Sequence, residues 1–200
     1  MTNKMILGID PGANGASVAI GRAGYEVNAM PATDGDVVAL IKRYTQMAEQ
    51  ASPMPQKIAF LENIVMHTGE GIPASTMAVY ASNWGVLKGA LMMAGWRLEL
   101  VRPQDWQKVL GLGITGRQRA TIVAGMSSAQ IAAEKSRIKL LNGQLIRDWK
   151  NKLKATAQRL FPGTTVTLGN ADALLIAEYG QRISTHPAGA TGATNPMKEK

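Results

Sequence analysis

Three acidic residues, each beside an apolar run, are the positions of this chain most suited to chemistry. Asp10 follows Met5-Ile6-Leu7-Gly8-Ile9 and precedes Pro11-Gly12, a turn signal that stops a buried strand at a carboxylate. Glu62 closes Lys57-Ile58-Ala59-Phe60-Leu61 in the same manner, and Asp172 stands at the start of the apolar run Ala173-Leu174-Leu175-Ile176-Ala177. Each has an ordinary explanation: Asp commonly opens tight turns, and an acid in a helix first turn complements the dipole. Brought together, the three would form a cluster that demands a cation, since two like charges 4 Å apart repel by about 4 kcal/mol at an effective dielectric near 20. Magnesium suits such a cluster, because it takes a few carboxylates together with waters and phosphate oxygens. Two such ions support phosphodiester hydrolysis, one activating water and the other stabilising the leaving oxygen.

Positioning these acids requires a sheet and an overlying helix. The Asp10 strand should open an antiparallel meander, with a second strand over Gly15–Gly21 and a third over Tyr25–Met30, joined by Gly21-Arg22-Ala23-Gly24. Thr33 and Asp36 resemble a capping box, followed at helical spacing by Val37, Leu40, Ile41, Tyr44 and Met47. Ser52-Pro53-Met54-Pro55 ends that helix before the Glu62 strand. Met66–Pro73 reads as an exposed loop, and Ser75–Ala94 as a helix with a core stripe of Met77, Tyr80, Trp84, Leu87 and Leu91. The helix start, Ser75-Thr76, suits phosphate contact through free backbone N–H groups. Arg97–Val101 reads as a fifth strand, and Pro103-Gln104-Asp105-Trp106-Gln107-Lys108 as a turn into a short helix. Gly111–Gly116 lacks the order of a nucleotide-binding loop and reads as a connection. Residues 117–160 read as helical, with Ser127 and Gln130 as a cap and interruptions near Gly125 and Asn142-Gly143. Ile146, Trp149, Leu153 and Leu160 form the apolar stripe of the last part, while Arg147, Lys150 and Lys154 share another face. The helix begun at Asn170-Ala171-Asp172 is apolar enough to lie flat on the sheet, its first turn facing the strand tips.

The 200 residues, 46% hydrophobic and 18% charged, suit one domain with a full core, and residues 187–200 read as a flexible tail. With no cysteine, disulfides and thiolate metal sites are excluded, and His67 and His186 lie too far apart in sequence to suggest zinc. No apolar run approaches the roughly 20 residues of a membrane helix, and a cytoplasmic protein is expected. The net charge of +8 is concentrated: residues 135–160 hold Lys135, Arg137, Lys139, Arg147, Lys150, Lys152, Lys154 and Arg159 against Asp148 alone. A solvated face would mix signs, so the concentration favours nucleic acid as partner.

The order Ile9-Asp10-Pro11-Gly12, Leu61-Glu62-Asn63 and Ala171-Asp172-Ala173-Leu174-Leu175-Ile176-Ala177 resembles the RuvC-type Holliday junction resolvases of the RNase H-like superfamily, in particular the branch found in phage genomes. The resemblance continues through Ser75-Thr76-Met77, Val101–Lys108 with Gly111-Leu112, and Ala157-Gln158-Arg159-Leu160-Phe161-Pro162. It implies an α/β fold, RNase H-like, with a five-stranded mixed sheet flanked by helices, over residues 1–186. The implied activity is that of a homodimer that binds a four-way DNA junction and nicks two opposed strands, using magnesium or manganese, with two ions expected. By the same match Asp10, Glu62 and Asp172 are metal ligands, and Ser75, Thr76 and Lys108 approach DNA, with Arg117, Arg147, Lys150 and Lys154 added from the basic segment. Two departures stand out. Where relatives place a fourth ligand the chain has Thr167, Leu168, Gly169 and Asn170; the Asn170 amide oxygen is a weaker substitute, and Glu178 lies on another side of the helix. Residues 117–148 form a longer helical insertion, read as a DNA clamp, a dimer arm or a plain insertion. Other readings are a nuclease for other branched or RNA-containing substrates, and a junction-binding protein of weak activity. The two-lobed sugar-kinase fold also begins with a strand ending in Asp-x-Gly, but it needs a second phosphate loop that this chain lacks.

Overall fold

The computed structural model describes residues 3–63, 74–113 and 122–185, without the side chains of residues 74–77, 79 and 80. Its strands are β1 (Lys4–Ile9), β2 (Ala16–Gly21), β3 (Gly24–Ala29), β4 (Gln56–Glu62) and β5 (Arg97–Val101). The helices described are α1 (Asp34–Glu49), α2 (Ala74–Met93), α3 (Pro103–Val109), α4 (Ser128–Ala133), α5 (Lys135–Leu160) and α6 (Ala171–Thr185). The sheet order is β3-β2-β1-β4-β5, antiparallel from β3 to β1 and parallel from β1 to β5. This is the five-stranded mixed sheet of an RNase H-like α/β fold, with helices on both faces.

Strand alternation divides the core. Met5, Leu7 and Ile9 of β1, with Ala59 and Leu61 of β4, pack against α1 and α2. Ile6, Ile58 and Phe60 pack on the opposite face, against α6 and the inner residues of α5 and α3. Parallel strands buried on both faces read as continuous apolar runs, which is how β1 and β4 appear in the sequence. The same alternation directs the acids. Asp10 and Glu62 continue the even-numbered row of Ile6, Ile58 and Phe60, so both follow the face covered by α6.

Gly8 fixes how closely that helix approaches. A Cβ there would lie 2.3 Å from the Ala177 backbone nitrogen and 2.6 Å from the Ala173 carbonyl oxygen. Further along, a Cβ on Gly180 would strike the Phe60 ring at 2.3 Å, and Lys4 Nζ donates to the Ser184 carbonyl. At the other end a Cβ on Gly169 would meet the Asn14 carbonyl oxygen at 2.4 Å. Helix α6 therefore runs back along β1, with its first turn over the Asp10 end. Gly8→Ala should cost about 2 kcal/mol or more, because the clash is with backbone rather than a movable side chain; urea unfolding should show a lower midpoint with an unchanged slope.

Local details depart from the sequence reading. Met47 is exposed, and Ala48 takes the buried place. The turn signal at Asn142-Gly143 does not break the chain: it lies inside α5, a single helix of 26 residues. The expected start at Ser127 is present as a reciprocal cap with Gln130. Ile146 is exposed, so the inner stripe of α5 rests on Leu153 and Ala157, with Trp149 and Leu160 partly buried beside it. Arg117, the histidines, the Met66–Pro73 loop and the 187–200 tail lie outside the described residues. Among the described residues no helix is long and apolar enough to cross a membrane.

Candidate acid site at the strand tips

The parallel pairing of β1 and β4 sets Ile9 against Leu61, so the next residues, Asp10 and Glu62, emerge side by side. The Asp10 N–H still reaches the Ala16 carbonyl at 3.0 Å, and the Asn63 N–H reaches the Val101 carbonyl at 2.7 Å. The ladder thus holds the backbone at both acids. Beyond Asp10 the chain turns tightly: Gly12 N–H donates to Asp10 Oδ1 at 3.0 Å, orienting the carboxylate from its own turn. Gly15 closes this turn, since a Cβ there would lie 2.3 Å from the Asp10 carbonyl oxygen and 2.9 Å from its carboxyl carbon.

Glu62 is held by two indoles. Trp106 Nε1, from α3, donates to Glu62 Oε1 at 3.1 Å, and Trp84 Nε1, from α2, donates to the Glu62 carbonyl at 3.2 Å. Asp172 enters from the first turn of α6, where Lys150 Nζ of α5 donates to its Oδ2 at 2.6 Å. The other oxygen, Asp172 Oδ1, is buried and has no hydrogen-bond partner among the described residues.

These groups share one electrostatic field. Burial raises the Asp10 pKa, with the Gly12 hydrogen bond opposing it, the Asp172 charge adding to it and Lys150 again opposing it. Glu62 is pushed from 4.5 to about 7, chiefly by burial and then by Asp10, against the Trp106 hydrogen bond; Asp172 raises it further and Lys150 lowers it. Around neutral pH Glu62 is therefore poised between its two protonation states.

Lys150 departs from the basic face assigned to it. Its side chain is 36% exposed, and the Asp172 side chain only 12%. The spacing that groups Lys150 with Arg147 and Lys154 also places it one turn before Leu153 and two before Ala157 on the inner stripe. The buried carboxylate attracts the ammonium inward. Arg147 and Lys154 remain exposed, as does Lys108 near the end of α3. Ser75 and Thr76 occupy the first turn of α2, with their side chains outside the described set.

Asn170 has a capping role. Its Oδ1 accepts from the Thr167 N–H at 2.8 Å, its own N–H reaches Thr167 Oγ1 at 3.2 Å, and its amide nitrogen donates to the Thr165 carbonyl at 3.1 Å. Glu178 is paired with Arg182 at 2.7 Å, one turn along α6. Neither is directed to the acid pocket by these contacts. Trp106 was not among the residues singled out from the sequence. An indole is a donor without acceptor capacity, so a Trp just after a strand following an acidic strand tip is the available signal, but its partner is set only by the fold.

An oxygen-only donor set with a buried, unpartnered Asp172 Oδ1 matches a hard divalent cation in chemistry. Among the described residues, however, no three acidic or histidine side chains are placed as they would be around a bound metal ion. The carboxylates are near enough to perturb one another, and Lys150 supplies the positive charge at Asp172. A separate cleft of about 410 Å³, lined in part by Lys4, Arg22, Tyr25 and Met47, lies towards the N-terminal end of β1, remote from these acids.

No protein-family model matches the chain, and no curated protein matches it. Among solved structures it is similar to Thermus thermophilus RuvC in complex with a Holliday junction substrate, with 13% identity, TM-score 0.47, and coverage of 91% of this chain and 95% of the other. It is also similar to a Thermus thermophilus RuvC structure, with 14% identity, TM-score 0.45, and coverage of 90% and 97%. The yeast mitochondrial Holliday junction resolvase Ydc2 shows 14% identity, TM-score 0.38, and coverage of 92% and 80%.

Proposed function

We propose that this chain is a structure-selective DNA endonuclease that resolves four-way junctions by divalent-metal-dependent hydrolysis of two opposed phosphodiesters. The observation that carries the reading is the meeting of Asp10, Glu62 and Asp172 in one field at the tips of two parallel strands and the start of the helix above them. Such a cluster favours a cation, and the neighbouring α5 is strongly basic. The motif order that resembles the RuvC-type resolvases adds the branched substrate and the two-copy assembly. Opposed cuts need two sites related by two-fold symmetry, which a homodimer supplies.

In this reading Asp10, Glu62 and Asp172 hold magnesium or manganese, which supplies an activated water and charge stabilisation at the scissile phosphate. The Gly12 N–H keeps Asp10 oriented, and the Trp106 N–H keeps Glu62 oriented. Lys150 offsets the cluster's charge and must release Asp172 Oδ2 for that oxygen to serve as a ligand. Synthetic four-way junctions, flaps and RNA–DNA hybrids, compared under Mg²⁺, test the substrate class. Symmetric paired nicks confined to the four-way junction support the proposal, and preference for a flap or hybrid assigns the chain to another branch of nucleases.

A second reading, a junction-binding protein with little activity, is favoured by the absence of a metal-ready group of three acids among the described residues. Junction binding without Mn²⁺ uptake would select it. The exposed basic side chains give a test common to both. Arg147→Ala with Lys154→Ala should weaken binding to all DNA sequences and reduce the salt slope by about two counterions, because each neutralised phosphate contributes about 0.9. An unchanged slope would return both residues to a solvated face.

A further inference from the structure

Trp106 is only 1% exposed, yet it presents its sole polar atom to one carboxylate oxygen of Glu62. A purely structural core aromatic needs no donor, and Phe would supply one without it. The surrounding contacts fix both ends of the helix that carries it. Pro103 begins α3, and Arg102 grips Asp105 through two hydrogen bonds of 2.9 Å each. The Leu112 N–H returns to the Gln107 carbonyl at 2.7 Å, and Trp149 Nε1 of α5 donates to the Leu112 carbonyl at 2.8 Å. The end of α3 is thus tied to the helix that carries Lys150. From the other face of the sheet, Trp84 secures the main chain of the same glutamate.

We propose that Trp106 is a positioning residue, whose indole N–H holds Glu62 Oε1 and leaves Oε2 as the oxygen available to the acid pocket. The inference rests on the nuclease reading for its consequence, but the hydrogen bond itself does not. Buried indole N–H groups take a partner, and a donor-only group cannot exchange roles with the carboxylate. Groups that orient metal-binding carboxylates typically change metal affinity 10–100-fold when removed. Trp106 should therefore govern how readily the site fills, through Glu62, while touching neither DNA nor ion.

The test uses the full chain with Trp labelled at the indole nitrogen, together with Trp106→Phe and replacement of Trp106 by 3-benzothienylalanine, which keeps the bicyclic shape and lacks the N–H. With Trp106 retained and no metal present, Glu62→Gln should move the Trp106 indole N–H resonance more than that of Trp96, which donates to Thr45. An unmoved Trp106 resonance overturns the proposal. Both replacements should raise the half-saturating Mn²⁺ concentration, read by paramagnetic resonance of free Mn²⁺, by about 10-fold, with junction affinity in EDTA unchanged. Equal Mn²⁺ affinity in the benzothienyl protein overturns the metal-positioning role, and that protein separates loss of the donor from any packing defect of the Phe variant. If the resonance responds to Glu62→Gln but the unaltered chain takes up no Mn²⁺, the nuclease reading and the metal consequence fall together, while the orientation of Glu62 by Trp106 stands.

Discussion

Asp10→Asn is expected to reduce Mg²⁺-dependent cutting of a synthetic four-way junction by roughly 10³-fold or more, with junction binding retained. The replacement is nearly isosteric and preserves an oxygen that can accept the Gly12 N–H, so the tight turn from Asp10 to Gly15 has no reason to open. What it removes is one negative charge from the place where two strand tips and α6 meet. Metal catalysis contributes several kcal/mol of charge stabilisation, and about 4 kcal/mol corresponds to roughly 10³ in rate. Binding should persist or tighten slightly, because the exposed cations Arg147, Lys154 and Lys108 are untouched and the pocket becomes less repulsive to phosphate. Cleavage and gel-shift assays on the same preparation separate the two effects. Equal cutting by the variant would refute the acid-site assignment, and loss of binding together with cutting would point to a folding defect.

The sequence carries the acid ends of β1 and β4 clearly because burial on both faces leaves a continuous apolar run, and a carboxylate at its end is conspicuous. Their common direction follows from counting along each strand, but their adjacency needs the parallel register that pairs Ile9 with Leu61. That pairing is separated by 52 residues and has no local signal. The uniformly apolar run from Ala173 to Ala177 signals a helix enclosed by other elements, while Gly8 and Gly180 become informative only when α6 is seen crossing them. Local signals mislead where more than one context can satisfy them. Asn142-Gly143 resembles a turn, yet one interior glycine costs a helix only about 1 kcal/mol relative to Ala, and α5 continues. Asn170 resembles a substitute ligand by position, whereas its side chain completes a cap with Thr167. Lys150 belongs to two stripes of α5 at once, and the buried charge of Asp172 decides between them.

The same balance of charge makes the metal-free protein less stable as Glu62 ionises, and Glu62→Gln should remove that dependence. Glu62 has a folded pKa of about 7 against an ordinary 4.5, so between these values the folded state binds more protons than the unfolded state. Stability consequently falls as pH rises through this window and levels off above it. Each unit of separation represents about 1.4 kcal/mol, which places the full effect at roughly 3 kcal/mol. Gln keeps the size and an oxygen acceptor for Trp106 but cannot ionise, so the variant should be more stable than the unaltered chain by up to roughly 3 kcal/mol at pH 8 in EDTA. The difference should vanish near pH 4.5. Urea unfolding across pH 4.5–8 measures this directly. A parallel pair of stability curves would show that Glu62 does not carry the ionisation cost. With divalent metal present the order should narrow or reverse, because binding to the folded state stabilises only the chain whose acids can hold the ion. Stability and cutting then respond to Glu62→Gln in opposite directions, and a loss of cleavage accompanied by a gain in metal-free stability cannot be attributed to unfolding.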